Sequence, residues 1–314
     1  MQLYMRQDHN NGMQRKLIQH GLSSLTISLP QKWIKGHNLK KGEEVGVTES
    51  KGRLVVSAET NHEHKRISID ITNAEPMIRR IVGATYKAGY DEVEIKFSSY
   101  EELKTIQELM REQFTGFEIM NQTKNQITIK DVAQPSVEEF NNVLRRFFFV
   151  LHQIASEVSS AAEKNDKEWL KSTTLLKIES DRCADFCRRA INTGFDSTFK
   201  RHAPLYTVIE QMEKVIDRYV ELSKYIITEN IEPNNDLREL LKELNKFQEM
   251  FVQVFYKFEL QKMIEFGKTR QSILDKVEAS IQNCTKKEIK GLVLVDRILS
   301  LIFNTNGALM AIYI

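Results

Sequence analysis

The stretch HAPLYTVIEQMEKVIDRYVELSK, residues 202–224, sets the architecture of the larger part of the chain. Apolar side chains recur in it at steps of one, three and four residues, beginning with Leu205, Val208 and Ile209. This spacing is the period of an α-helix that buries one face. Pro204 stands near its start, where a missing backbone N–H costs little. The stretch therefore predicts a long amphipathic helix.

The same period continues over residues 135–314 and predicts an all-helical domain. The segment Ile231-Glu232-Pro233-Asn234-Asn235 divides it into two three-helix repeats, at about 135–231 and 232–314. The last helix is apolar enough to resemble a membrane span, but Asp296 and Arg297 interrupt it. A charge at the centre of a membrane costs about 2.5–3.5 kcal/mol, so we expect a core helix instead. The six predicted helices cover residues 137–164, 166–192, 203–230, 235–258, 259–282 and 286–314.

Strands and turns are expected before residue 135, because nine of the thirteen glycines lie there. Residues 63–134 read β-α-β-α-β-β, which predicts a small two-layer domain close to a ferredoxin-like fold. Ser99 followed by Glu102 fits a capping box at the start of its second helix. The predicted strands are 67–71, 92–97, 117–121 and 126–130, and the predicted helices are 76–88 and 99–113.

Residues 1–62 predict only short strands: one near 14–19, one near 25–29, one that follows a turn at 39–45, and one at 54–56, with one helical turn at 30–35. So small a sheet encloses little core, and it needs a partner chain to cover its apolar faces. We therefore expect three domains, at 1–62, 63–134 and 135–314.

Composition narrows the possible function classes. Lys plus Arg is 45 and Asp plus Glu is 43, so the net charge of +2 does not by itself indicate a nucleic-acid partner. Three cysteines in no metal-type pattern cannot build a disulfide framework. Phosphate-loop and nucleophile motifs are missing from the sequence, which predicts a protein that is not an enzyme. The N-terminal residues lack an apolar leader, so we expect a cytoplasmic location.

The first sixty residues differ in charge from the rest, with nine basic and five acidic side chains. A dimer-prone β-module of this kind suits the phosphate groups of a nucleic acid. Composition alone favours ordinary solvated lysines, so the case for a nucleic-acid partner depends on the order of the residues.

That order runs from Arg15-Lys16-Leu17-Ile18-Gln19 through Ser23–Pro30 and Lys32-Trp33-Ile34 to Leu39–Val45. It resembles the AbrB-like swapped-hairpin DNA-binding domain, in the subtype fused to PhoU domains in archaeal regulators. The resemblance implies that two chains exchange hairpins to form one closed barrel. One departure is that the second strand carries serine and threonine where many relatives have a basic residue. The resemblance assigns DNA binding to Arg15, Lys16, Lys32 and Lys35.

The helical half carries paired carboxylates. Asp181 and Asp185 are four residues apart on the second predicted helix, and Glu213 and Asp217 are four apart on the third. Such pairs share a helix face, and clustered oxygen ligands bind hard cations. Pairs with this spacing also arise by chance on solvated faces, so both readings stay open on spacing alone.

Their context, ESDRCAD at 179–185 and MEKVIDR at 212–218, resembles the E/D-x-x-x-D signatures of PhoU-type phosphate-signalling proteins. The resemblance implies that Asp181, Asp185, Glu213 and Asp217 bind a multinuclear transition-metal cluster of iron, manganese or zinc. The second repeat carries one carboxylate at the matching positions, so a second cluster is not expected there. Those positions are Gln271, Asp275, Ser300 and Asn304.

Together these features predict a multidomain α+β protein: a swapped-hairpin barrel, a two-layer domain and a PhoU-like six-helix domain. The resemblances imply a homodimeric DNA-binding transcriptional regulator of phosphate uptake whose helical domain acts as a sensor. Phosphate-transporter components or a sensor kinase are the implied protein partners. The alternative left open is a cytosolic adaptor that binds such a partner without sequence-specific DNA binding, its N-terminal module acting only in dimerisation.

Overall fold

A computed structural model describes residues 15–21, 24–50, 53–58, 64–133, 137–194, 201–282 and 284–314. The chain divides into two compact units, Met1–Glu63 and His64–Ile314. Each unit is described by itself below. Gln14, in the first predicted strand, and Pro135, in the predicted linker, lie outside the described residues.

The first unit contains two separate antiparallel hairpins and one short helix. Strands β1 (Ile18–His20) and β2 (Ser24–Thr26) pair in the register Ile18↔Thr26. Gly21 makes the turn after β1 with φ +73°, a backbone conformation that glycine adopts without a steric penalty. Helix α1 (Gln31–Gly36) follows, and then strands β3 (Gly46–Ser50) and β4 (Arg53–Ser57) pair with each other. The strands are therefore found in the predicted order, and β3 begins directly after the predicted turn at 39–45.

The second unit begins with a four-stranded sheet and two helices. The strands are β5 (Arg66–Asp70), β6 (Glu92–Lys96), β7 (Phe117–Gln122) and β8 (Gln126–Asp131), and the helices are α2 (Ile78–Lys87) and α3 (Tyr100–Glu112). Strands β6 and β8 alternate buried apolar and less buried polar side chains, so one sheet face packs on the helices. Buried residues include Val82, Ile95, Ile106 and Ile129.

The strand order β5-β6-β8-β7 differs from the expected ferredoxin-like fold. In that fold another strand separates the two parallel strands of the β-α-β unit. Here β5 pairs directly with β6, so the β7–β8 hairpin adds to the other edge of β6. The predicted element order is confirmed, but the ferredoxin-like arrangement is wrong.

The predicted capping box at the start of α3 is confirmed. The Ser99 hydroxyl accepts a hydrogen bond from the Glu102 N–H, and the Glu102 carboxylate accepts one from the Ser99 N–H. Glu102 also accepts hydrogen bonds from the N–H groups of Asn73 and Ser98. One side chain thus fixes the loop before α2 and the start of α3.

The remaining elements are helices around one continuous apolar core. The predicted second helix starts with the separate turn α5, and the predicted last helix breaks at Thr305 into α10 and α11. The other predicted helices are confirmed within about two residues. The helices are α4 (Val137–Lys164), α5 (Lys167–Leu170), α6 (Thr173–Thr193), α7 (His202–Thr228), α8 (Asn235–Tyr256), α9 (Leu260–Gln282), α10 (Lys286–Asn304) and α11 (Asn306–Tyr313).

Among the described residues, the stretch Lys286–Tyr313 is the one helical segment whose length and composition would suit a membrane span. It packs instead within the bundle against α7, α8 and α9. Leu294, Val295, Ile298 and Leu299 are all fully buried. Burial of this kind is typical of a core helix in a soluble protein, as expected from Asp296 and Arg297.

Candidate functional site

The side chains predicted to contact DNA lie on the surface of the first unit. Arg15 and Lys16 precede β1, and Lys32 and Lys35 lie on α1; all four are exposed. Because Lys32 and Lys35 are three residues apart, they share one side of the short helix. This unit therefore offers cationic side chains from two different elements.

Apolar side chains of the same unit are also exposed. Leu17 is 65% exposed, Leu25 64% and Ile27 52%, and on the second hairpin Val47 and Leu54 are more than half exposed. A single large apolar side chain on a surface needs no explanation, but several on two short hairpins expose more apolar side chain than a soluble monomer of this size usually leaves uncovered. The hairpins of one chain do not cover these side chains.

In the second unit, α6 and α7 bring the four predicted carboxylates together. Asp181 and Asp185 lie on α6, and Glu213 and Asp217 lie on α7. The two helices pack against each other. Because the two carboxylates of each pair are four residues apart, they share one face of their helix, and each pair faces the other. Lys177 and Arg188 each contact one of these carboxylates on each helix, so the four side chains converge.

Two basic side chains of α6 lie among these carboxylates. The ammonium of Lys177 donates to both Asp181 oxygens at 2.9 Å and lies 2.7 Å from Asp217 Oδ1. The guanidinium of Arg188 lies 2.6 Å from Asp185 Oδ1 and 2.6 Å from Glu213 Oε2. Arg188 also contacts a fifth acidic residue, Glu210. We call these five carboxylates with Lys177 and Arg188 the carboxylate cluster.

Burial and charge shift the pKa values of the cluster. Burial raises the pKa of the Asp181 carboxyl, and the nearby ammonium of Lys177 offsets this only in part. Burial also raises the pKa of Glu213 to about 7, against the lowering effect of Arg188 and together with the charges of Asp181 and Asp185. Burial alone would lower the pKa of Lys177, but Asp181 and Asp217 raise it above its usual value. The pKa of one carboxyl group in each pair therefore depends on the charges of the other pair.

The fit of a metal cluster can be tested on these contacts. Within the described residues, no group of three or more His, Cys, Asp or Glu side chains is arranged to hold a metal ion. Lys177 and Arg188 contact at least one oxygen of each of the four predicted ligands, so a metal ion bound there would lie beside their positive charges. As folded, the residues do not fit a multinuclear cluster. The metal cluster stays a prediction of the resemblance, and these contacts do not support it.

The matching positions of the second repeat lie apart from any such cluster. Gln271 donates to Asp275 at 2.8 Å along α9, and both side chains are exposed. Ser300 and Asn304 lie on α10. These four positions supply one carboxylate, as the sequence indicates.

Sequence reasoning missed Arg189, which joins α6 to the sheet layer of the same unit. Its guanidinium donates to the backbone oxygens of Tyr86 at 3.0 Å and Tyr90 at 2.9 Å, and to the carboxylate of Asp131 at 2.7 Å. It also lies over the ring of Phe117 at 4.9 Å. A buried charge is tolerated only when it is paired in this way. The Arg188-Arg189 dipeptide in an otherwise apolar helix segment was the available signal.

Further polar contacts hold the same junction together. Arg182 donates to the backbone oxygens of Arg111 and Glu112 at the end of α3, and Asn192 donates to the backbone oxygen of Lys87 at the end of α2. Lys87 in turn lies 3.6 Å from Asp185, so the junction reaches the carboxylate cluster. Helix ends carry unpaired carbonyl groups that favour such donors.

Comparison of the chain with models of known protein families, with characterised proteins and with solved structures gives no match. The two family resemblances therefore remain expectations that rest on the residues quoted above.

Proposed function

We propose that the protein is a cytoplasmic, homodimeric regulator of transcription that binds DNA through its first unit. The observation that carries this proposal is the exposed apolar surface of the two hairpins. Leu17, Leu25 and Ile27 are each more than half exposed, so a second copy of the hairpins is needed to cover them. Interleaving hairpins of two chains into one closed barrel would also remove their open strand edges.

The positive charges of the same unit favour a polyanion as its binding partner. In a dimer, Arg15, Lys16, Lys32 and Lys35 occur twice, which doubles the number of cations that face the phosphates. Each phosphate that a protein neutralises steepens the salt dependence of binding by about 0.9 in a log–log plot. Binding by such a surface is therefore strong at low salt and weak at high salt.

The second unit takes the role of a sensor in this proposal. The resemblance to PhoU-type proteins connects it with phosphate uptake and with transporter components or a sensor kinase as partners. A partner that binds one arrangement of the dimer better than another shifts the population of DNA-binding arrangements. Regulation requires only that the partner bind the two arrangements of the dimer with different affinities.

The alternative function, an adaptor that binds a transporter or kinase without reading DNA, is favoured by one observation. Strand β2 consists of Ser24, Leu25 and Thr26, so it brings no positive charge to the surface of its hairpin. In that case the first unit serves in dimerisation alone.

Fluorescence anisotropy with a labelled duplex from the protein's own promoter separates the two functions. The full chain is measured at two salt concentrations beside the variant Arg15→Ala/Lys16→Ala. The regulator proposal expects affinity that falls steeply with salt. In the variant, which lacks four cations per dimer, the log–log slope is expected to be shallower by about three to four. The matched control, Lys104→Ala/Lys124→Ala, removes two exposed charges from the second unit and is expected to bind like the unmodified chain.

Absent or salt-insensitive binding by the folded chain contradicts the regulator proposal and favours the adaptor. Equal loss of affinity in both variants contradicts the role of Arg15 and Lys16.

A further inference from the structure

The carboxylate cluster contains its own positive charges. Lys177 Nζ lies within 2.9 Å of both oxygens of Asp181 and 2.7 Å from one oxygen of Asp217. Arg188 bridges Asp185 and Glu213, each at 2.6 Å. Every predicted metal ligand is thereby engaged by a basic side chain of the same chain, and both basic side chains lie on α6.

A metal ion at this position would have to break these contacts. Binding through Asp181 and Asp217 would compete with Lys177 for oxygens that it already contacts, and it would leave an ammonium beside a dication. Two like charges a few ångströms apart repel strongly, and more so where water is excluded. An uncompensated charge at a partly buried site is also costly, because its hydration is not replaced. Both effects would make the free energy of metal binding less favourable.

We propose that Lys177 and Arg188 are the permanent counter-ions of this cluster and occupy the place that a resident metal would need. The cluster is then a metal-free ion-pair network that joins α6 to α7. Through Lys87, which lies 3.6 Å from Asp185, it also ties in α2 of the sheet layer.

The two counter-ions differ in how firmly they are held. The side chain of Arg188 is 4% exposed and contacts three carboxylates, so it cannot leave without unpacking the helices. Lys177 is 30% exposed and has a flexible stem with a single ammonium group. Replacing Lys177 alone therefore uncovers Asp181 and Asp217 while Arg188 keeps the other half of the cluster closed.

The test compares metal content and Mn²⁺ binding in three forms of the full chain. The unmodified protein, purified without chelator, is expected to carry no stoichiometric transition metal by elemental analysis. Lys177→Met keeps the aliphatic stem but lacks the ammonium, and calorimetry is expected to show Mn²⁺ binding about tenfold or more tighter than in the unmodified chain. The control is Lys214→Met on α7, whose ammonium lies 3.3 Å from Glu210. Its Mn²⁺ affinity is expected to stay within about twofold of the unmodified chain.

Two results overturn the proposal. One is a stoichiometric metal in the unmodified chain that disappears in Asp181→Asn/Asp217→Asn. The other is a folded Lys177→Met variant whose Mn²⁺ affinity is unchanged.

A second measurement keeps the proposal testable if Lys177→Met does not fold. Lys177→Met/Asp181→Asn removes one charge of each sign, and urea unfolding of the single and double variants forms a double-mutant cycle. The proposal expects the double variant to be more stable than Lys177→Met alone. Losses that simply add would overturn it. None of these measurements involves DNA, so their outcome is independent of the proposed regulatory function.

Discussion

At the scale of single residues, two adjacent arginines of α6 make contacts in different directions. Consecutive side chains on a helix differ in direction by about 100°, so neighbours meet different surroundings. Arg188 points its charge at Asp185 and Glu213, whereas Arg189 reaches the backbone oxygens of Tyr86 and Tyr90. Each guanidinium is almost fully buried and is paired with carboxylate groups. Neither arginine is replaceable by lysine without losing the planar set of donors that these contacts use.

Glu102 has a pH signature that can be traced to named hydrogen bonds. Hydrogen bonds from the N–H of Ser98, and then of Asn73 and Ser99, hold the pKa of Glu102 below its ordinary value of 4.5 although burial acts against them. A carboxylate with a lowered pKa stabilises the fold at pH values above the unfolded pKa, and its contribution is lost as the pH falls through the lower folded value.

We therefore expect Glu102→Gln to lower the free energy of unfolding at pH 7 by about 1–2 kcal/mol, because charged hydrogen-bond acceptors are the stronger ones. The difference from the unmodified chain is expected to shrink as the pH falls from 7 to values below the ordinary glutamate pKa. Urea unfolding at several pH values measures both. Glu101→Gln, an exposed change in the same helix turn, serves as the control, and a gap that widens on acidification would contradict the assignment.

At the scale of elements, the junction between α2 and α6 depends on Gly89. Gly89 follows α2 with φ +86°, and a Cβ atom there would lie 2.6 Å from Cγ2 of Thr193 at the end of α6. A side chain at this position is disfavoured twice, by the left-handed backbone and by the close approach of the next helix.

The variant Gly89→Ala is expected to destabilise the second unit by at least about 1–2 kcal/mol. Thr193→Ser removes the clashing methyl group, so it is expected to restore part of the loss when combined with Gly89→Ala. Gly267→Ala is the matched control, because Gly267 lies inside α9 with open space around it. That control is expected to gain about 0.5–1 kcal/mol, since alanine favours helix interiors. Thermal unfolding of the unmodified chain, the two Gly89→Ala forms and Gly267→Ala measures these differences. Equal effects at both glycines would refute the packing argument.

The elements differ in how far the sequence predicts them. The helix α7 was expected at 203–230 and runs His202–Thr228, because the apolar period is a local property of the residues themselves. The break at Thr305 was not predicted, since the apolar pattern continues through it. The ferredoxin-like strand order was wrong because strand order depends on which sheet edge is open, and no local pattern records that.

The carboxylate cluster could be predicted only in part. The spacing of Asp181 and Asp185 indicated a shared helix face, and the packing of α6 on α7 confirms that the two pairs meet. The same spacing rule applies to Lys177, four residues before Asp181, and to Arg188, three residues after Asp185. What spacing cannot give is the partner across the interface, which here turns a set of candidate ligands into a network of ion pairs.

At the scale of the whole molecule, the two units have different sources of stability. The unit His64–Ile314 contains two apolar cores, one in the sheet layer and one in the helical bundle. Among the side chains whose burial the structure describes in the unit Met1–Glu63, none is buried. In the proposed dimer, the first unit therefore gains its core from the partner chain, whereas the second unit has one of its own.

This difference predicts two unfolding events with different concentration dependence. Unfolding of the first unit releases two chains from one dimer, so each tenfold rise in protein concentration adds about 1.4 kcal/mol to its stability. Unfolding of the second unit is unimolecular if no other interface forms, so its midpoint is expected to stay fixed. Calorimetric scans over a hundredfold range of concentration are expected to show one transition that moves upward and one that does not.

Leu25→Ser is expected to lower the moving transition, because it puts a hydroxyl where the partner's apolar face would pack. Leu175→Ser, an equally exposed leucine on α6, is expected to leave that transition in place. A first transition that is independent of concentration would mean that the hairpins fold without a partner, and the proposed shared barrel would then be wrong.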